Sequence, residues 1–317
     1  MSAFPITIPD KSNILIAGAG GGFDFLCGLP IALELESQGH KVYIANYSFT
    51  NLKEVRKGIW HSDYLLEINA QSYLESGDYF PEVQLSKWYQ QKRSLQRPIW
   101  CLSQAGVKPT LESYNLLIKK YAIDIVICID GGVDGLFRGD EFDLGTPSMD
   151  SISVLATSLC NAKSRIYACA AFGTEGAEGR VSHAQALQRM AELTQQNAFL
   201  GVGTIRKNTE CGAEFMHAVE SIFQNLTPVR RSIIVSTMIA SMKGIYGKTV
   251  VHEKTHYSPP WISPLTSLIW FFEADAVARM KLFYEAAKNS LTVLEVADSI
   301  EKARAECAIQ PFEPIPI

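Results

Sequence analysis

The chain has no CxxC pair, no segment approaching the roughly 18 consecutive apolar residues of a membrane-spanning helix, and no excess of either charge. Each absence excludes something. The seven cysteines (Cys27, Cys101, Cys128, Cys160, Cys169, Cys211 and Cys307) are odd in number and sit mostly among apolar neighbours, so they read as the reduced thiols of a cytosol. With 29 Lys and Arg against 33 Asp and Glu, the net charge of -4 gives no drive toward nucleic acid or an anionic membrane. The opening MSAFPITIPDKSN lacks the basic stretch and apolar run of a secretory signal. A cytoplasmic protein with neither a nucleic-acid nor a membrane partner is expected. Gly/Ser-rich linkers, blocks of charge, a Gly-x-Ser-x-Gly elbow, a Walker loop and a serine-triad spacing are also missing.

What is present is an ordinary folded composition, with 317 residues of which 47% are hydrophobic and 20% charged. NILIA, a helix-like run over residues 26–38 and KVYIAN form a strand, helix, strand unit. TLESYNLLIKKYA, IDIVICID, MDSISVLATSLCNA and RIYACAAFG repeat the alternation as helix, strand, helix, strand. Apolar runs such as IDIVICI suit strands covered on both faces, so the expected fold is α/β: a doubly wound, mostly parallel, Rossmann-like sheet in a single domain. The weaker pattern over residues 50–97, with a strand at DYLLEI, reads as an insertion beside that sheet. Further on, helices are expected in VSHAQALQRMAELTQQ, ECGAEFMHAVESIFQNL and VRRSIIVSTMIASMKG, and strands in KTVVHE and SLIWFF. Two helices close the chain, the last starting with a Thr292/Glu295 capping box, and the proline-rich residues 310–317 form an extended arm.

Two short segments carry chemistry. In GAGGGFDF, glycines between a strand and a helix let backbone N–H groups approach an anion. Gly18 and Gly20 match the opening of G-x-G-x-x-G, but Phe23 takes the third glycine position and the second strand ends at Asn46 instead of a ribose-binding acid, which disfavours a nicotinamide dehydrogenase. The blander reading makes these glycines a tight turn and Asp24 a helix cap. The second segment, DGGVDGLFRGDEFDLGTPSMD, carries Asp130, Asp134, Asp140, Glu141, Asp143 and Asp150, offset only by Arg138. Loops beyond the carboxyl ends of parallel strands line ligand crevices, so Asp24, Asp130 and Asp134 are expected to converge there, with Mg²⁺ held by Asp24 and Asp134. Asp140, Glu141 and Asp143 read as exposed loop acids, and Asp150 as an N-cap. Gly21-Gly22-Phe23-Asp24 and Gly131-Gly132-Val133-Asp134 are echoes of one another, each following a strand.

GAGGGFDF, ANYSF and IDGGVDGLFRGDEFDLGTPSMDSISV together resemble the archaeal and bacterial family called domain of unknown function 1152, over most of the chain. The resemblance implies a Rossmann-like sheet and no particular reaction. Its motif positions here are Gly20, Gly21, Gly22, Asp24, Asp130, Gly131, Gly132, Asp134, Arg138, Asp140, Glu141, Thr146, Pro147 and Asp150. The Gly-Gly-x-Asp echoes are also similar to the S-G-G-x-D-S phosphate loop of ATP pyrophosphatases. However, the flanking serines are replaced by Gly20 and Phe25 in one copy and by Asp130 and Gly135 in the other.

HEKTH, residues 252–256, satisfies H-E-x-x-H, but β-branched residues before it and prolines after it favour a strand running into a turn, not a zinc-binding helix. The 173–183 loop offers Thr174, Glu175, Glu178, Arg180 and His183 as a closing segment with acid or base groups, or as a plain crossover to a helix capped by Ser182. The leading expectation is an enzyme binding a small-molecule anion, phosphate- or carboxylate-bearing and nucleotide-like. In it, Gly18, Gly20, Gly21, Gly22, Gly131 and Gly132 cradle the anion, Arg138 balances charge, and Asp24, Asp130, Asp134 and His183 carry the chemistry. The alternative is a non-catalytic nucleotide or metabolite sensor on the same fold. Trp261, Trp270, Phe271 and Phe272 leave a homo-oligomer open, since buried strands account for them equally well.

Overall fold

The computed structural model describes residues 4–76, 79–174 and 181–315. Its strands are β1 (Asn13–Gly18), β2 (Lys41–Tyr47), β3 (Val55–Arg56), β4 (Ile59–Ser62), β5 (Leu65–Ile68), β6 (Tyr73–Leu74), β7 (Ile99–Leu102), β8 (Ile125–Asp130), β9 (Ser164–Ala170), β10 (Phe199–Thr204), β11 (Gly247–Lys248), β12 (Trp261–Ile262) and β13 (Leu268–Glu273). The helices are α1 (Asp24–Cys27), α2 (Leu29–Ser37), α3 (Pro81–Arg93), α4 (Val107–Tyr121), α5 (Pro147–Leu159), α6 (His183–Gln195), α7 (Glu210–Gln224), α8 (Ile233–Met242), α9 (Ala274–Met280), α10 (Tyr284–Ala287) and α11 (Val293–Glu306). Nine strands form one mixed sheet in the order β10-β13-β9-β8-β1-β2-β7-β5-β4. The five central strands, β9-β8-β1-β2-β7, run parallel, and antiparallel strands extend both ends.

The central strands are continuous apolar runs because both faces are covered. Ile14 and Ile16 of β1 pack with side chains of α1, α2, α3, α7 and α8, while Leu15 and Ala17 pack with those of α4, α5, α6, α9 and α11. Each fully buried aliphatic side chain contributes roughly 1.5–3 kcal/mol relative to exposure. α2 stops where Gly39, at φ 86°, turns the chain left-handed: its N–H bonds Glu36 O (3.0 Å) and the His40 N–H bonds Leu35 O (3.1 Å). From β1 the chain moves to β2 on one side, and from β8 to β9 on the other. Adjacent strands that send the chain apart in this way leave a crevice beyond their carboxyl ends.

Several sequence expectations need correction. β4, β7 and β10 are strands that periodicity did not reveal, because β4 and β7 have four residues each and Gly201 and Gly203 interrupt β10. LSKWYQQKR belongs to α3, and residues 50–97 do not all stand beside the sheet, since β4 and β5 pair into it through β7. In KTVVHE only Lys248 lies in a strand; Val250 is exposed, with no ladder to hold it. Thr292 does cap α11, accepting the Glu295 N–H at 3.2 Å, but Glu295 reaches the Leu291 N–H (2.7 Å) and not that of Thr292. The carboxyl arm is pinned down: Gln310 bonds Asp140, and Pro311 and Glu313 carbonyls accept from Gln185 and Ser182. Among the described residues, no helix is long and apolar enough to cross a membrane.

Candidate metal and anion site

β1 and β8 pair in parallel, Gly18 opposite Ile129, and the Ala19 N–H continues the ladder to Ile129 O at 2.8 Å. The two Gly-Gly-x-Asp turns therefore leave adjacent strands at one rim. Gly21 and Gly22 have φ of 98° and 62°, a region that favours glycine, and a Cβ at Gly21 would strike the Phe49 ring. These turns put Asp24 at the first residue of α1 and Asp134 at the start of a 3₁₀ turn, Asp134–Leu136.

The rim gathers three carboxylates, with one oxygen each from Asp24, Asp130 and Asp150 all within 4.8 Å of one another. Asp150 comes from the first turn of α5, a third element, and is not an N-cap. The helix begins three residues earlier because Pro147, at its first position, already has the helical φ. Each acid is aimed by hydrogen bonds. The Gly20 N–H donates to Asp24 Oδ2 (2.7 Å), the Gly135 N–H and Tyr167 hydroxyl donate to Asp130 Oδ2 (3.0 and 2.8 Å), and the Thr146 hydroxyl donates to Asp150 Oδ2 (3.2 Å). The backbone approaches closely only because it carries no side chain there. A Cβ at Gly20 would fall on Asp150 Oδ1, one at Gly131 within 2.5 Å of Asp24 Oδ1, and one at Gly135 within 2.5 Å of Asp130 Oδ2.

Crowding shifts the pKa values of these groups. Burial, then the Asp130 charge, push the Asp24 carboxyl well above its ordinary value against the opposing Gly20 and Gly131 N–H bonds. Burial, then Asp134, Asp130 and Asp24, raise Asp150 in the same way, with Lys281 opposing. Lys281, just past α9, is the buried cation facing this group. Its Nζ donates to Gly135 O (3.0 Å) and Phe137 O (2.9 Å), and burial lowers its pKa against the pull of Glu141, Asp150, Asp130 and Asp134.

The family model described as protein of unknown function, DUF1152, matches residues 15–308. The chain belongs to this family. No curated protein and no solved structure matches it.

Within this DUF1152 chain, the expected site residues divide into two sets. Asp24 and Asp130 come together, joined by Asp150. Asp134 lies beside them, its Oδ2 taking the Thr146 N–H (2.8 Å) and competing with Asp150 for the single proton of the Thr146 hydroxyl (3.3 Å). Gly20 gives its N–H to Asp24, so the anion held at this turn is the protein's own. Gly18 serves close packing against Asn46 and the Phe25 backbone, and Gly131 and Gly132 are buried in the second turn. Asn46 turns inward, donating to Gly22 O (3.0 Å) and Glu82 Oε1 (2.8 Å). Arg138 departs from its expected role: its Nε bonds Asp140 Oδ1 (2.9 Å), not the three aspartates.

Asp140 and Glu141 are not exposed. Glu141 accepts the Arg138 and Gly139 N–H groups (3.0 and 2.9 Å), and the fully buried Arg189 lies within ion-pair range of both acids. Asp143 does serve a turn, accepting the Gly145 N–H. His183 opens α6 with its ring 5.0 Å from that of Phe172, and burial lowers its pKa to about 4. Thr174 bonds Thr237, while Glu175, Glu178 and Arg180 lie outside the described residues. HEKTH forms a single 3₁₀ turn in which His252 Nδ1 accepts the Lys254 N–H, a turn and not a zinc-binding helix.

Proposed function

We propose that this chain is a doubly wound, Rossmann-like domain that holds Mg²⁺ through Asp24, Asp130 and Asp150 at its switch point. Through that ion it binds a phosphate- or carboxylate-bearing, nucleotide-like small molecule. The observation that carries the reading is the meeting of three carboxylates from α1, β8 and α5, faced by the buried Lys281. Three acids that crowd one another stay ionised together only with a cation among them, and a hard divalent ion takes carboxylate oxygens together with oxygens of its ligand. The strand order supports placing the ligand here, since β1 and β8 send the chain in opposite directions. Helices cover both faces of the parallel strands, as a doubly wound sheet requires. When bound, the ion would polarise a phosphoryl or carboxyl oxygen, which suits phosphoryl, nucleotidyl or hydrolytic chemistry.

On this reading the chain's own residues orient and shield. Gly20, Gly135, Tyr167 and Thr146 fix the three acids, Asp134 anchors the start of α5 through Thr146, and Lys281 limits their mutual repulsion while holding the 135–137 turn. The protein is read as one domain working in the cytoplasm, where its seven free thiols suit a reducing compartment. Mn²⁺ titration followed by electron paramagnetic resonance tests the reading, with Mg²⁺ as competitor. One ion should bind per chain, be displaced by Mg²⁺, and be lost in Asp24→Ala and Asp150→Ala. Equal Mn²⁺ uptake by all three proteins would remove the metal from the account.

A further inference from the structure

The far edge of the sheet differs from the rest of it. β4 ends the strand order, pairing with β5 on one side and, among the described residues, with no strand on the other. Its four residues are exposed or half-buried although two of them are apolar: Ile59 is 58% and Trp60 42% exposed. An edge strand of this kind offers free backbone N–H and C=O groups, together with its apolar side chains, to another strand. β4 is short and its register with β5 shifts between Trp60 and Ser62, so the side chains around it have to define any pairing. The two ends of the strand carry opposite charge. Lys57 precedes it, with Nζ 5.9 Å from the centre of the exposed Tyr73 ring, and Asp63 follows it, next to the exposed Tyr64. Among the described residues, neither Lys57 nor Asp63 has an ion-pair partner in its own chain. A groove of about 890 Å³ opens at the Asp63 end, lined in part by Trp60, His61, Asp63 and Tyr64, with room for side chains from another molecule.

We propose that β4 is a dimerisation edge whose partner is a second copy of this chain, paired antiparallel to itself about a two-fold axis near Trp60. The charge order selects that partner and that direction. Antiparallel pairing reverses the strand, so Lys57 meets Asp63 of the partner subunit at one end and the same pair recurs at the other; parallel pairing would set like charges side by side. The reversal also brings the Tyr73 end of one copy to the Tyr64 end and the groove of the other, and encloses Ile59 and Trp60 of both copies between them. A two-fold contact uses one patch twice, so the patch has to complement itself, as a strand with opposite charges at its ends does. The inference does not rest on the metal reading. β4 is five strand spacings from β8, roughly 24 Å at about 4.8 Å each, and the pairing leaves the aspartate rim free.

Analytical ultracentrifugation of the full chain over about 1–100 µM tests the pairing. The unaltered protein should sediment at twice the chain mass, and Trp60→Asp should sediment as a monomer. Lys57→Asp and Asp63→Lys each set like charges opposite one another at both ends of the pair, and each should raise the dissociation constant at least about tenfold. Asp is tolerated at the φ of 57° that Lys57 adopts, and both charge reversals lie outside the strand, so they keep the test open if Trp60→Asp fails to fold. The double variant, Lys57→Asp with Asp63→Lys, restores opposite charges and should associate within about twofold of the unaltered protein. An unaltered protein that stays monomeric throughout overturns the proposal and leaves the edge to a different partner. A dimer that survives both Trp60→Asp and the single charge reversals overturns it in favour of another face. Weakening by the single reversals with no recovery in the double variant overturns the antiparallel self-pairing.

Discussion

Asp140 and Glu141 lie between Asp130 and Asp150 in the sequence, yet these two sets of acids, all buried apart from the half-buried Asp24 of the rim, are held in opposite ways. The first pair has cations and donors around it. Arg138, Arg189 and Gln310 reach Asp140, while backbone N–H groups and Arg189 reach Glu141. Burial would raise the Asp140 carboxyl, but the Gln310 and Arg138 bonds and the Arg138 and Arg189 charges outweigh it and leave the group below its ordinary value. At the rim the balance reverses, and Asp24 and Asp150 are both pushed up. Buried acids paired by arginine are explained by the fold they hold together. Buried acids that repel one another are not, and the metal-binding reading proposed above rests on that difference. Lys281 feels both groups, so the reversal is not for want of a lysine but for want of enough positive charge at the rim.

The largest test of this contrast is at the paired end. Glu141→Gln would remove one of the acids around the fully buried Arg189, which keeps Glu192 at 2.9 Å and Asp140, and would set an amide NH2 against one of the backbone N–H groups that Glu141 accepts, so it should cost about 1–3 kcal/mol of stability in urea unfolding. A loss below about 1 kcal/mol, the scale of an exposed ion pair, would erase the distinction between the two regions. Next in size is an acid-dependent loss. His183 begins α6, the helix that carries Arg189, and its folded pKa of about 4 lies below the unfolded value near 6.5. The folded state therefore binds fewer protons between those values, so stability is full above about pH 6.5 and falls toward pH 4, by at most about 3 kcal/mol. His183→Gln should flatten that part of the pH profile; an unchanged slope would move the acid sensitivity elsewhere.

At the rim the expected sign is opposite. Asp150→Asn removes one of the three repelling charges while leaving an oxygen to accept from Thr146, so the metal-free protein should gain about 1–2 kcal/mol. The same variant should lose Mn²⁺ binding. A substitution that stabilises the fold and destroys the site is the signature of residues kept for function, and a destabilised Asp150→Asn that still binds Mn²⁺ would turn the trio into structure.

The same contrast explains what can be read without coordinates. β1, β2, β8, β9 and β13 are continuous or alternating apolar runs, and the echoed Gly-Gly-x-Asp turns mark the ends of β1 and β8 directly. β7 is too short and β10 too rich in glycine for a pattern to register. Asp24 and Asp130 are visible as site candidates because each follows a strand. Asp150 is not, because only the packing of α5 against β8 brings a first-turn helix acid back to the rim. Lys281 is harder still. Between Met280 and Leu282, next to Arg279, it resembles any surface lysine, and its burial depends on two carbonyls more than 140 positions earlier in the chain. The acids of residues 140–143 mislead for the converse reason, since Arg189 and Gln310, which bury the first two, come from α6 and the carboxyl arm.

Arg138 is the smallest test and separates the two regions most cleanly, because sequence alone assigns it to the site and the structure assigns it to the paired acids. Its side chain is 35% exposed and bonds only Asp140, a carboxylate that keeps Gln310 and Arg189 when Arg138 is gone. Arg138→Ala should therefore cost less than about 1 kcal/mol, shrinking further as salt screens the pair. Mn²⁺ affinity should not change, since the charge answering the aspartates is Lys281. A severalfold drop in Mn²⁺ or pyrophosphate affinity in Arg138→Ala, at unchanged stability, would return the arginine to the rim and make the boundary between paired and crowded acids less sharp than the hydrogen bonds draw it.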